Sequence, residues 1–278
     1  MSAQTLSVPA ATAADPTPRP LPIRDSLTMV RRNLRHMWRY PSMTIMLVGQ
    51  PLLFLLLFVY VFGDTLGNGL PGQDGGRHGY LTYVMPAILV MAIASIALGT
   101  AVSVAIDMTG GIIARFRTMA IARVSVLTGH VLGAMIQTGL TLLVSIGVAL
   151  ALGFRSPASA ADWLGATGIL VAFAFALTWL TVALGLVSKS VETASNLPIV
   201  LVFLPFLGSG FVPTDSMPGW LASFARNQPF TPVIESVRDL IAGAPQGRDI
   251  VLAVGWSALI AAVSYVWARG LYASRSAG

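Results

Sequence analysis

Few side chains in this chain can do chemistry, and their spacing decides which chemistry is open. There is one lysine, Lys189, in Gly185-Leu-Val-Ser-Lys-Ser190. A phosphate-binding P-loop needs Gly-x-x-x-x-Gly-Lys-Ser/Thr, in which the lysine reaches the β- and γ-phosphates. Here Ser188 stands where the second glycine belongs and the spacing is wrong, so the chain has no P-loop of its own. Cysteine is absent, which excludes disulfides, thiolate nucleophiles and cysteine metal sites. His36, His78 and His130 lie in three different segments without ligand spacing, and no metal site is expected. HExxH, GxSxG and a carboxylate cluster fit for magnesium are missing as well. A catalytic reading has only Asp107, Glu192 and His130 to rest on.

A basic stretch is more distinctive: Asp107-Met-Thr-Gly-Gly-Ile-Ile-Ala-Arg-Phe-Arg-Thr-Met-Ala-Ile-Ala-Arg123. Two glycines open it, and Ile112, Phe116 and Met119 recur at i, i+4, i+7, which makes one apolar stripe on a short helix. Arg115 and Arg117 are separated by about 200° of helical turn, so they face different partners. The segment reads either as a handle for another protein or as an ordinary basic loop beside a membrane.

The elements that must carry these residues are apolar. Apolar residues make up 55% of the chain and charged residues only 10%, with a mean hydropathy of +0.76. A soluble domain carries about 25% charged residues, so this is a membrane protein. The net charge of +6 does not indicate nucleic acid, because the arginines cluster beside apolar runs rather than along one polar face.

Residues 1–22, rich in Ala, Pro, Thr and Ser, read as a disordered tail and not as a signal peptide. From Ile23 to Tyr40, Ile23, Leu27, Val30, Leu34 and Met37 form an apolar stripe. Arg24, Arg31, Arg32, Arg35 and Arg39 surround it, which predicts a helix lying at the membrane surface until Pro41 turns the chain inward. Six spans follow, at about 43–62, 80–106, 124–153, 163–187, 197–212 and 250–268, the fifth being short. None contains Asp, Glu, Lys or Arg, which argues against a proton- or sodium-coupled pump. Six crossings put both termini on one side. Twelve of the Lys and Arg residues fall on that side, in the N-terminal region, 107–123, Lys189 and the 269–278 tail, against five in the opposite loops. The excess predicts cytoplasmic termini and a cytoplasmic 107–123 segment. Gln50, His130 and Gln137 are read first as helix-to-helix hydrogen-bonding residues, and second as substrate ligands.

Between the fifth and sixth spans, Pro213, Pro218, Pro229 and Pro232 break residues 213–243 into short pieces. Met217, Trp220, Leu221 and Phe224 share one face, and Val233, Val237 and Leu240 share the next. Two short helices capping the outer face are expected, the second with Thr231 as N-cap and Pro232 at N1. Pro213, Met217, Trp220, Gln228 and Pro229 then belong either to a gate or to a rigid lid.

At these two segments the sequence resembles the permease subunits of ABC-2 type exporters, especially the daunorubicin-resistance type of actinobacteria. The resemblance rests on Tyr83-Val-Met-Pro86, on Asp107 with Gly110, Gly111 and Arg115-Phe-Arg-Thr-Met-Ala-Ile-Ala-Arg123, and on Phe211-Val-Pro, Met217-Pro-Gly-Trp220, Gln228-Pro-Phe-Thr-Pro232, Arg238 and Gly243. It runs in matching order over nearly the whole chain after residue 22, with Ala120 standing where the family commonly has proline. It implies an all-α fold of six transmembrane helices, an interfacial elbow helix at 23–40 and a coupling helix at about 107–122. Asp107, Gly111, Arg115, Phe116, Arg117 and Arg123 would meet a separate ATP-binding subunit, which would bind ATP and Mg²⁺ where this chain binds neither. Two ATPase copies and two permease copies would assemble in a bacterial plasma membrane. A hydrophobic drug, antibiotic or lipid would pass between the first, second and fifth spans of the paired permeases.

For that route the aromatic residues Phe54, Phe58, Phe62, Tyr83, Phe203 and Phe206 are the choice, because their faces suit a flat amphiphile and attract a cationic amine. Each of them could instead face lipid or pack against a neighbouring helix. Beside the exporter permease stand two other readings: a facilitator that works alone, and a lipid-modifying enzyme built on Asp107, Glu192 and His130.

Overall fold

The computed structural model describes residues 41–68, 75–109 and 123–277, with side chains for 45–68, 75–109 and 127–272. The expected tail, the elbow helix at 23–40 and the middle of the basic segment lie outside the described residues. Every regular element within them is helical.

Helix α1 (Pro41–Leu57) passes into a π-helical turn, Phe58–Phe62, and a last α-turn, Gly63–Gly67. Helix α2 is Arg77–Thr109, α3 is Arg123–Ala151 and α4 is Ala160–Val187. Ser159 starts α4 with a capping box: its hydroxyl accepts the Asp162 N–H at 3.2 Å while the Asp162 carboxylate accepts the Ser159 N–H at 2.9 Å. Gly153 ends α3 with φ +99°, and the Phe154 N–H reaches back to the Ala149 carbonyl at 2.9 Å. Both features close a Schellman end that a side chain at 153 would strain.

Helix α2 is the central staff. In its most apolar stretch 89% is buried inside the molecule, against 17% for α1 and for the last helix, α9 (Gly247–Ala277). Being apolar on all sides suits a helix surrounded by other helices. Three of its hydroxyls are satisfied within the helix: Ser95, Thr100 and Ser103 each donate to the carbonyl four residues earlier, at 3.0 Å. Helix α4 packs against α2 and α9. At Gly185 the approach to α2 is close enough that an added Cβ would stand 2.6 Å from the Ala101 carbonyl oxygen. Small residues permit such approach where lipid supplies no hydrophobic drive between helices.

Five described helices are long and apolar enough to cross a membrane: Ile45–Gly67, Arg77–Thr109, Leu127–Ala151, Ala160–Val187 and Gly247–Tyr272. The remaining apolar stretch, Val191–Leu207, is shorter and broken. It holds α5 (Val191–Asn196), α6 (Ile199–Phe203) and a 3₁₀ turn, Leu204–Leu207, with Pro198 and Pro205 at the breaks. As one helix, 17 residues would rise about 25 Å, short of the roughly 30 Å hydrocarbon core. The turn that follows lies against α2 well inside its Arg77 end: a Cβ on Gly210 would stand 2.9 Å from that of Ala87. From Arg77 to Ala87 is about 15 Å of helix. The stretch expected to fold as short helices forms a 3₁₀ turn (Thr214–Ser216), α7 (Gly219–Asn227) and α8 (Phe230–Ile241). Helix α8 begins two residues earlier than its sequence pattern indicated, with Pro229 rather than Thr231 at the N-cap.

Candidate functional site

The aromatic choices converge. From α1 and its π-turn come Phe54, Phe58 and Phe62; from the broken segment come Phe203 and Phe206. Ring centroids are 6.4 Å apart for Phe54–Phe58, 5.4 Å for Phe54–Phe206, 5.6 Å for Phe58–Phe62 and 6.4 Å for Phe203–Phe206. Phe211 joins them and is the member the sequence reading left out. It stacks on Phe206 at 4.4 Å with the planes 8° apart, and lies 4.4 Å from Phe58. The i, i+4 spacing of Phe54, Phe58 and Phe62 was visible in sequence, but the alignment with a segment some 150 residues away was not.

One edge of this array is open. Phe62 is 41% exposed and Phe203 54%, while Phe211 is buried. Leu53, Tyr60 and Val61 of α1 and Val200 beside Phe203 are exposed as well. The π-helical turn lies within the array; such turns recur at functional sites because the extra residue per turn re-aims side chains.

Tyr83 stands apart, in a polar cluster where α2, α8 and the turn after Leu207 meet. Its hydroxyl donates to the Ser209 carbonyl at 3.0 Å, and the Tyr80 hydroxyl donates to the Phe211 carbonyl at 3.2 Å. Gln228 is buried and donates through Nε2 to the Leu204 carbonyl at 3.0 Å. Gly208 is pressed against Gln228 Nε2 and the Thr231 hydroxyl, so a side chain there would displace both. Of the other residues expected in a gate or lid, Pro213, Met217 and Pro229 are half-buried and Trp220 is 76% exposed. The stripe of Trp220 and Phe224 thus faces outward, and it is Ala222 and Ala225 that pack inward.

At the other end of α2, Asp107 Oδ2 and His130 Nε2 are 3.0 Å apart and buried. Glu192, in the first turn of α5, is exposed. Gly111, Arg115, Phe116 and Arg117 lie outside the described residues, and Arg123 is described only as the first residue of α3. Among the described residues no group of three His, Asp or Glu side chains is placed to hold a metal ion.

A broken apolar segment beside a helical staff, in a chain with no P-loop, fits a permease rather than a stand-alone ATPase. The chain belongs to the ABC-2 type transporter family, whose model matches residues 25–242, and it is a multi-pass membrane protein. Among its relatives is the daunorubicin resistance ABC transporter permease protein DrrB1 of Streptomyces coeruleorubidus, 29% identical over 258 residues, which covers 90% of this chain and 89% of that protein. The probable doxorubicin resistance ABC transporter permease protein DrrC of Mycobacterium tuberculosis is 28% identical over 221 residues, or 76% of each chain. A putative transport permease, ycf38 of Porphyra purpurea, is 27% identical over 248 residues, covering 84% of this chain and 80% of that protein.

Proposed function

We propose that this chain is the non-catalytic permease subunit of an ATP-driven exporter for a hydrophobic or amphiphilic drug, antibiotic or lipid. A separate ATPase, two copies per transporter, binds ATP and Mg²⁺ and docks on the 107–122 coupling segment. The broken 197–212 stretch is the fifth of six spans, both termini are cytoplasmic, and α7 and α8 cap the outer face. Two permease copies in a bacterial plasma membrane enclose the route and rock between inward- and outward-open states. The observation that carries this reading is the Phe array, which is assembled from two elements and exposed along one edge. A second copy closing on that edge would bury Phe62 and Phe203 and line a path suited to flat amphiphiles.

The test is a mild-detergent pull-down of the tagged chain with partner stoichiometry by mass spectrometry, joined to Arg115→Glu with Arg117→Glu. Recovery of one P-loop ATPase per permease, with efflux lost in the double variant while the chain stays inserted, is the expected result. A chain that emerges alone and transports in liposomes without nucleotide would establish a facilitator instead.

A further inference from the structure

Arg238 is nearly buried, its side chain 11% exposed, and every part of its guanidinium is in use. Nη1 pairs with Glu235 Oε2 at 2.7 Å, within α8. Nε donates to the Tyr83 carbonyl at 3.2 Å and Nη2 to the Ser209 carbonyl at 2.8 Å. The guanidinium carbon also sits 3.9 Å over the centre of the Tyr83 ring. One residue of α8 thereby grips both α2 and the turn after Leu207.

Each grip has a cause in the backbone. Ser209 and Phe211 lie between the 3₁₀ turns Leu204–Leu207 and Thr214–Ser216, where no helix supplies donors to their carbonyls. In apolar surroundings such groups must be met by side chains, and here Arg238, Tyr83 and Tyr80 meet them. On α2, Pro86 lacks the N–H that would bond the Thr82 carbonyl. The neighbouring Tyr83 carbonyl accepts from Arg238 of α8. The turn after Leu207 also carries Phe211, whose ring packs against both Phe206 and Phe58. Its backbone is pinned on one side and its ring closes the aromatic array on the other.

We propose that Arg238 is the pin of a latch: it holds the Ser209–Phe211 turn against α2 and so keeps the Phe211 ring closed over the outer end of the array. It is a positioning residue, acting through Phe211. The proposal rests on the exporter reading for its orientation and for what opens it. When α2 shifts relative to the cap, the Tyr83 and Ser209 carbonyls cease to be reachable together, and the turn is released with its ring.

The chain has no cysteine, so a single Val212→Cys, next to Phe211 and 37% exposed, reports on this turn alone. In the complete transporter with its ATPase, the rate of labelling by a membrane-impermeant maleimide added outside is measured with and without a non-hydrolysable nucleotide. Three backgrounds are compared: otherwise unchanged, Arg238→Gln, and Tyr83→Phe. The last removes only a hydroxyl and keeps the ring, so it tests the latch even where Arg238→Gln fails to accumulate. Each variant is expected to raise nucleotide-free labelling on the order of tenfold, the effect of losing one charge-assisted or buried hydrogen bond from the closed state. Unchanged labelling in the variants, with nucleotide still driving labelling in the unchanged background, overturns the latch and leaves the exporter standing. Raised labelling in the variants, with no response to nucleotide anywhere, supports the latch and overturns ATP-driven opening.

Discussion

Asp107 and His130 close a buried hydrogen bond of 3.0 Å across the two helices that flank the 110–122 segment. Asp107 sits in the last turn of α2, where a negative charge faces the negative end of the helix dipole. The imidazole on α3 offsets that disadvantage and ties the two stems of the segment together. His130→Ala is expected to destabilise the chain by about 1–3 kcal/mol. In a double-mutant cycle with Asp107→Asn the two effects should fall short of additivity by about 1 kcal/mol. Denaturation in detergent measures both, and strictly additive losses would show that the pair is not coupled.

Gly185 has no room for a side chain, with the Ala101 carbonyl 2.6 Å and the Val104 Cβ 3.0 Å from where its Cβ would stand. Gly185→Ala must push α4 off α2, and overpacking of this kind costs about 1–3 kcal/mol. The melting temperature should fall, whereas Gly168→Ala, with nothing within 4 Å, should leave it unchanged.

Phe206 touches four other rings: Phe54, Phe58, Phe203 and Phe211. Phe206→Leu keeps an apolar side chain and removes the π-face, at about 1 kcal/mol per aromatic contact. If the array contacts substrate, the apparent affinity for a planar aromatic cation should fall about fivefold while that for an aliphatic amphiphile stays level. Equal losses for both would mean that the rings only pack.

Asp239 on α8 has its carboxyl pushed up to about 6, first by burial and then by the Glu235 and Asp249 carboxylates. Its folded pKa is above the unfolded value of 3.8, so the folded chain holds the proton more tightly. Stability is therefore lost as pH rises from about 4 to 6, and the deficit persists above that. Asp239→Asn should raise the melting temperature at pH 7 to 8 and leave it unchanged near pH 3.5. A gain of equal size at both pH values would assign the effect to something other than titration.

Much of the architecture was legible from apolar run length alone, because a helix in a bilayer must satisfy its own backbone groups over about 20 residues. Five of the six expected runs correspond to long helices for that reason. The fifth run was short in sequence, and Pro198 and Pro205 explain its breaks, yet where its turn would settle was not readable there. The choice of Phe54, Phe58, Phe62, Phe203 and Phe206 needed only the chemistry of aromatic faces. That the first three lie on one stripe follows from the helical repeat. Periodicity carries no distance between separate helices, so only the packed structure could seat them against Phe206 and admit Phe211. It also set Tyr83 apart from the array, with its hydroxyl on the Ser209 carbonyl. The Arg238 grip, like the Asp107–His130 bond, joins residues far apart in the chain. Which carbonyls lack a partner, and which side chain is near enough to meet them, is decided only when the helices have packed.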